Sequence, residues 1–338
     1  MIAIIVIGTN NLSFLPDCFR SISRSDYRNY TIIYVDNGST DGSVEYVKNN
    51  FPDTMIIENK ANLGFPEANN VGIRKAIKLG ARYVMILNPD TLVDSRCLSS
   101  LMAKANDKTI LQPLILLHDG HKTNLVNTGG NILHILGFSY CGDYRLDARL
   151  IKEKSIALSS GAAALIPMAI IKKVGLFDDT FFLYHEDVDL FWRSRMYGFD
   201  IVLEPKALIW HKYSYSRNLN KMYYVERNRL AFITKNFQLR TILLLLPLGF
   251  MTELAMLVYS LKEGWFSKKA ASYFGYIKMV PILLRKREKI QKNRKKSDRE
   301  LLTNYGSSVL NFSEVTIPAA RYLNNLIDAY WHFIRKAL

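Results

Sequence analysis

Five apolar residues in a row, Tyr83-Val84-Met85-Ile86-Leu87, are cut off by Asn88-Pro89-Asp90. So short a run without polar alternation reads as a strand buried on both faces, and proline, which cannot donate to a ladder, ends it sharply. A strand of that kind needs helices above and below it, so this stretch already selects a layered α/β sheet. Two earlier runs behave alike: Ile2 to Ile7 stops at Gly8-Thr9-Asn10-Asn11, and Thr31 to Val35 at Asp36-Asn37-Gly38-Ser39-Thr40-Asp41-Gly42. Between them, Leu15, Cys18, Phe19 and Ile22 fall at helical spacing, and Asp41 stands where an N-cap would start a helix over 43–49. Met55-Ile56-Ile57 adds a short strand, Asn62-Leu63-Gly64-Phe65 a loop, and a further helix runs to about Leu79. Strand and helix alternate four times, which predicts a largely parallel, doubly wound sheet.

In an open α/β sheet, ligands bind beyond the carboxyl ends of the strands. Three of those ends carry polar loops, with Asp36, Asn62 and Asp90 their salient members. Turn chemistry explains any one of them, whereas three on one edge make a nucleotide-sized polar crevice. Asp90, with Asp94 behind it, suits a divalent cation that shares oxygen ligands with a phosphate. No GxGxxG and no GxxxxGK[ST] occurs, so neither a dinucleotide fold nor a P-loop ATPase is supported. Gln112 to Leu117 reads as another strand, and His118, Asp119 and His121 as a solvated turn in preference to a metal site.

A second dense region spans Ser159 to His211. The small residues of Ser160-Gly161-Ala162-Ala163-Ala164 would let a backbone or ligand approach closely. His185-Glu186-Asp187-Val188-Asp189 then crowds three carboxylates that repel one another unless a cation, a base or water separates them. A raised carboxyl pKa and a general base are one reading, and an acid-rich first helical turn is the other; both can hold at once. Ile201 to Leu203 and Ala207 to Trp210 read as short strands. The second ends in His211, open between a structural role and contact with metal or phosphate.

In this order the residues resemble a family 2 glycosyltransferase with the GT-A fold, most closely its rhamnosyltransferase-like branch. The likeness rests on Val35 to Gly42, Asn62 to Phe65, Asn88-Pro89-Asp90, Gly175 to Asp178, Phe182 to Leu190 and Trp210-His211. It implies a Rossmann-like sheet flanked by helices, an inverting transfer from a dTDP- or UDP-sugar, and Mg2+ or Mn2+ as cofactor. Gly8, Thr9 and Asn10 would line the base and ribose pocket, Asp36 would hydrogen-bond the pyrimidine, and Asn62 and Gly64 would lie along the nucleotide. Asp90 and His211 would hold the metal under the diphosphate, and Asp187 would deprotonate the acceptor hydroxyl. Asn88, Gly161, Glu186 and Arg193 complete the expected substrate-binding set. Asn88 stands where the family usually has the first Asp of its triplet, which leaves the metal more dependent on Asp90 and His211. Gly8-Thr9 stands where many relatives have a pair ending in Tyr.

The formal charge of +15 is unevenly spread over the 338 residues: 1–216 are nearly neutral at +1, while 217–338 carry +14. A neutral front and a basic back predict a catalytic unit over 1–216 and a helical C-terminal region over 217–338 that meets something anionic. Arg217 to Phe237 is helical in pattern. Residues 241–260 are apolar over nearly the ~20 residues of a bilayer span, but Pro247 and Glu253 interrupt them, and an interfacial helix is the favoured reading. Aromatic residues from Trp265 to Tyr276 and a basic helix over 285–296 suit an anionic membrane surface. The resemblance adds a polyprenyl-diphosphate-linked or glycan acceptor at the cytoplasmic face. A solvated helix face, or a helix pair that joins copies into a homo-oligomer, is the plainer alternative for this tail. Nucleic acid is the competing anion; no RNP-like or helix-turn-helix pattern supports it. Cys18, Cys97 and Cys141 form no metal or redox pattern, as in a reducing compartment, and Ile2 to Ile7 reads as a core strand, not a secretion signal. The role of 297–338 stays open.

Overall fold

The computed structural model describes residues 1–212, 219–302 and 320–338. Strands form where the apolar runs stand: β1 (Ile2–Gly8), β2 (Tyr30–Asp36), β3 (Met55–Glu58) and β4 (Tyr83–Leu87). Helices α1 (Leu15–Ser23), α2 (Ser43–Asn50) and α3 (Gly64–Lys78) alternate with them. Next come β5 (Thr91–Val93), α4 (Cys97–Lys104), β6 (Thr109–His118), β7 (Lys122–Thr128) and the hairpin of β8 (Asn131–Leu133) with β9 (Ser139–Cys141). The rest of the sheet region is β10 (Lys154–Ser155), β11 (Ala163–Pro167), α5 (Met168–Val174), α6 (Glu186–Met196) and β12 (Asp200–His211).

The sheet runs β3-β2-β1-β4-β11-β6-β12-β10. The first four strands are parallel; β11 enters antiparallel between β4 and β6, and β12 lies parallel to β6. Side chains of a strand point alternately to the two faces, and both faces here are covered. Ala3, Ile5 and Ile7 therefore join one buried cluster with Ile33, Val84 and Ile86, while Ile2, Ile4 and Val6 join the other with Tyr34 and Met85. That is why these strands read as unbroken apolar runs. At about 1.5–3 kcal/mol per buried aliphatic side chain, the central strands anchor the fold.

Two expected strands prove to be one. Residues 201–203 and 207–210 both belong to β12, whose register against β6 shifts between Glu204 and Leu208. Pro205 lies in that interval and has no N–H for the ladder, so the strand bulges there and resumes. His118, Asp119 and His121 sit at the tip of the β6–β7 hairpin, with Asp119 and His121 exposed.

The C-terminal region is helical: α7 (Lys221–Asn236), α8 (Leu239–Lys262), α9 (Phe266–Lys292), α10 (Asp298–Leu302) and α11 (Ala320–Ile334). Arg217 and the 216/217 division lie outside the described residues. Phe232, Leu283, Ile327 and Trp331 belong to the same buried cluster as Ala3 and Ile5, so the tail helices pack onto the sheet layers. The basic helix expected over 285–296 stops at Lys292, because the chain turns back to give the Lys295 and Lys296 N–H groups to the Met196 carbonyl at the end of α6. Within that run Arg287, Gln291 and Arg294 reach the open carbonyls of Thr234 through Phe237 at the end of α7. Donors and cations there satisfy the unpaired acceptors of a helix terminus and oppose its dipole.

Candidate active site

The loops after β2 and β3 border a cavity of about 340 Å³ whose lining includes Asp36, Ser39, Thr40, Glu58 and Lys60. The buried Asp36 carboxylate accepts the Gly38 and Ser39 N–H groups at 3.2 and 3.0 Å, folding its own loop back on itself. Asn10, left-handed at φ 54°, donates its N–H to the Ser39 hydroxyl oxygen and accepts the Thr40 N–H on its side-chain oxygen. Thr9 Oγ1 reaches the Asn37 carbonyl at 3.4 Å, and a Cβ on Gly8 would stand 3.0 Å from the Tyr34 hydroxyl. Asn37 joins the loops after β2 and β3: it donates to Asn62 Oδ1 at 2.9 Å and accepts from Asn59 Nδ2 and the Leu63 N–H. Asn62 Oδ1 in turn receives the Gly64 N–H at 2.9 Å. Gly64 adopts φ +81°, and a Cβ there would meet the Phe182 carbonyl oxygen at 2.5 Å, so only glycine fits.

At the end of β4, Asp90 Oδ1 is buried and accepts no hydrogen bond of good geometry among the described residues, although His211 Nε2 stands 3.2 Å away. Asn127 Oδ1 lies 3.1 Å from the other imidazole nitrogen, Nδ1. With Asn127 Oδ1 accepting from Nδ1–H, Nε2 is the nitrogen left facing Asp90. An imidazole lone pair and a carboxylate oxygen converging on one point fit a divalent cation. Among the described residues no cluster of three or more His, Cys, Asp or Glu forms a metal site. A cation held by this pair alone would draw its other ligands from water and diphosphate oxygens.

Ala163 of β11 pairs with Leu87 of β4, and the Asn88 N–H donates to the Ala162 carbonyl at 2.9 Å. The next residue back, Gly161, gives its N–H to Asp187 Oδ2 at 3.0 Å. A Cβ on Gly161 would come within 3.2 Å of the Asp187 Cβ, so this approach needs the small residue. Neighbouring strands thus bring Asp90 and Asp187 to the same end of the sheet.

The three crowded carboxylates take three environments. Asp187 is half-buried at the start of α6; burial raises its pKa, and N–H bonds from Val188 and Gly161 hold the rise in check. Glu186 is buried, its Oε2 has no hydrogen-bond partner among the described residues, and burial followed by the neighbouring Asp187 charge drives its pKa well above the ordinary carboxyl value. Asp189 is also buried, which by itself would raise its pKa, but Arg193 and Lys235 beside it bring the net shift below the usual range. His185, whose Nε2–H donates to the Gly137 carbonyl at 3.0 Å, is pushed down to about 4 by burial and stays neutral.

The loop before α6 is strained: Phe182, Tyr184 and His185 all have φ between 63° and 68°, a region that L-residues with side chains rarely adopt. Helix α7 holds it. Asn228 Nδ2 donates towards the carbonyls of Phe181, Leu183 and Tyr184 at 2.9, 2.8 and 2.7 Å, and Arg227 Nη2 to that of Phe181 at 2.8 Å.

Of the expected residues, Gly8, Thr9, Asn10, Asp36, Asn62 and Gly64 gather at the β1–β3 end, while Asn88, Asp90 and His211 lie at the end of β4 and β12, joined through Ala162 and Gly161 to Asp187; Glu186, next to Asp187, is buried. Arg193 does not join them. Its guanidinium is buried on Asp189 and on the Val174 and Leu176 carbonyls, where it ties α6 to the end of α5. Asn37, Asn127 and Asn228 were missed. Asn228 had a signal: Glu226, Asn228 and Arg229 are polar residues in mid-helix, and asparagine is a poor helix former unless its side chain has work elsewhere.

Comparison with known proteins gives a consistent picture. The family described as Glycosyl transferase family 2 matches residues 3–175, from β1 to just past α5. An N-acetylglucosaminyl-diphospho-decaprenol L-rhamnosyltransferase of Mycobacterium tuberculosis is 26% identical over 58% of this chain and 71% of its own. A low-salt glycan biosynthesis hexosyltransferase of Haloferax volcanii is 25% identical over 50% of this chain and 54% of its own. Among solved structures, GalNAc-T7 with UDP, GalNAc and Mn2+ superposes with a TM-score of 0.56 at 16% identity, over 70% of this chain and 48% of that one. The shared fold is GT-A.

Proposed function

We propose that this chain, which belongs to glycosyl transferase family 2, is an inverting, metal-assisted transferase with Asp187 as its general base. Transfer from a nucleotide sugar follows from the family and its relatives; the metal, the base, the sugar and the acceptor are our reading. The observation that carries it is the backbone link Asn88–Ala162 and Gly161–Asp187, which sets the Asp90–His211 pair and the base at one end of two adjacent strands. The donor is read as dTDP-rhamnose and the acceptor as a polyprenyl-diphosphate-linked sugar or glycan at the cytoplasmic face of the membrane. The mycobacterial relative, named for rhamnosyl transfer to a decaprenyl-diphosphate sugar, supports that choice. A UDP-hexose donor is the second reading, favoured by the archaeal hexosyltransferase. Residues 1–216 are assigned to catalysis and 217–338 to its support.

Asp90 and His211 would hold Mg2+ or Mn2+, which when bound neutralises charge developing on the departing diphosphate. Gly161 and Val188 fix both oxygens of Asp187, and partial burial moves its pKa towards the range useful to a base. The acceptor oxygen bonds to the anomeric carbon from the face opposite the diphosphate, the bond from that carbon to the diphosphate oxygen breaks, and the acceptor proton passes to Asp187. One displacement inverts the centre.

A thermal-shift panel of dTDP, UDP, GDP and CMP, with and without Mn2+, tests the donor site. A ligand bound only by the native state adds about 2.7 kcal/mol at a hundredfold excess over its Kd. A Mn2+-dependent rise with dTDP or UDP is expected; a flat panel overturns the nucleotide crevice.

A further inference from the structure

Helix α8 has the length and apolarity of a membrane span, with a mean hydropathy of 2.0 over its best window, of which 11% is buried. Its sides are unequal. Leu243, Leu246, Phe250, Leu254 and Val258 are exposed, Phe250 and Val258 by 67% and 68%. Thr241, Leu245 and Ser260 are buried on the other side. The acid at its middle, Glu253, turns inward: it pairs with Arg229 and with Lys269, the latter at 2.7 Å, and accepts the Tyr273 hydroxyl at 2.7 Å. Glu226 completes the set against the same two cations. Arg229 is itself bonded to the Leu136 carbonyl of the sheet body, 3.1 Å away.

The attachment runs the length of the helix. At its start the Gln238 N–H bonds to Asp298; nearly two turns later the Leu244 carbonyl takes the Tyr330 hydroxyl of α11; Glu253 ties the middle to α7 and α9. Crossing a bilayer would carry two buried acids, two cations and the helices that bear them into hydrocarbon, where each charge is costly. Only the outer face is free to meet lipid. Basic side chains stand exposed at Arg240, Lys262, Lys278, Arg285 and Lys289, which complements an anionic headgroup layer.

We infer that α8 lies in the plane of one leaflet, its Leu243–Phe250–Val258 face among the acyl chains and the flanking cations on anionic lipid, so that the protein is monotopic and does not span. This deepens the membrane part of the proposed function and rests on its reading of a lipid-linked acceptor.

The test uses the full chain. Sedimentation with vesicles of phosphatidylcholine, with and without phosphatidylglycerol, should show binding that the anionic lipid strengthens. The double variant Phe250→Asp/Val258→Asp should weaken it about tenfold or more, while its nucleotide thermal shift stays unchanged, which shows that it is folded. Fluorophores on Leu243→Cys, Phe250→Cys and Val258→Cys should report one shallow depth by lipid-borne quenchers. A depth that changes steadily along the helix means a span and overturns the inference. Self-association of the chain without vesicle binding also overturns it, by assigning the face to a second copy. Vesicle binding with a flat nucleotide panel would instead sink the donor-site reading alone.

Discussion

The side-chain amide of Asn228 donates to the Tyr184 carbonyl at 2.7 Å, across 44 residues of sequence. The same nitrogen faces the Phe181 and Leu183 carbonyls, so a residue of the basic tail holds the backbone turn that aims Asp187. The sheet region and the C-terminal helices therefore share one hydrogen-bonded element.

Asn228→Ala should lower transfer about a hundredfold with nucleotide binding unchanged, since a misplacement near 1 Å at a reacting group costs that much. Asn228→Asp should be worse, because a carboxylate would face three carbonyl oxygens. The comparison is kcat against the thermal shift with UDP or dTDP; equal kcat in Asn228→Ala removes α7 from the mechanism.

Asp187→Asn keeps the shape and discards the base. Turnover should fall by about 10²–10⁴, with nucleotide affinity preserved. Lost nucleotide binding would move Asp187 into the donor site.

Asp90→Ala should abolish the Mn2+-dependent part of the nucleotide shift. Asn127→Ala should weaken it about 10- to 100-fold in metal affinity, since it frees the His211 ring from the contact that orients it. Titration of Mn2+ at fixed nucleotide measures both, and an unchanged Mn2+ dependence in Asp90→Ala refutes the metal assignment.

Glu186 gives a pH signature. Its folded pKa lies above the ordinary value of 4.5, so the folded state holds the proton more tightly than the unfolded chain. That contribution to stability is whole below the unfolded pKa and is lost as pH rises through the folded one. Glu186→Gln should therefore raise Tm at pH 8 and show a shrinking gain towards pH 4. A gain that does not change with pH would mean Glu186 does not titrate there.

The first four strands, β6 and β12 were legible because burial on both faces leaves apolar runs, with Pro205 splitting β12 in two; β11, which begins in a run of small residues, and β5, β7 and β10 were not. Asp36, Asn62, Asp90 and Asp187 stood out as polar residues at strand or helix ends. Arg193 and the end of the basic helix were hard to place because partners of Arg193, Arg287 and Arg294 are main-chain carbonyls at Val174, Leu176 and the end of α7. Backbone acceptors leave no mark in a side-chain pattern. Glu253 looked like an interruption because its partners Arg229 and Lys269 lie 24 and 16 residues away. The links of Asn37, Asn127 and Asn228 exist only once the chain is folded.

The contact of Gly64 with Phe182 bears on the order of events in turnover. The Phe65 N–H bonds to the Phe182 carbonyl at 2.8 Å, so the loop that carries Asn62 and Gly64 is tied to the turn that leads to Asp187. A donor that settles the first loop also settles the second, which favours a compulsory sequence with nucleotide sugar first and acceptor second. In steady-state kinetics the released nucleoside diphosphate would then compete with the donor and inhibit noncompetitively against the acceptor.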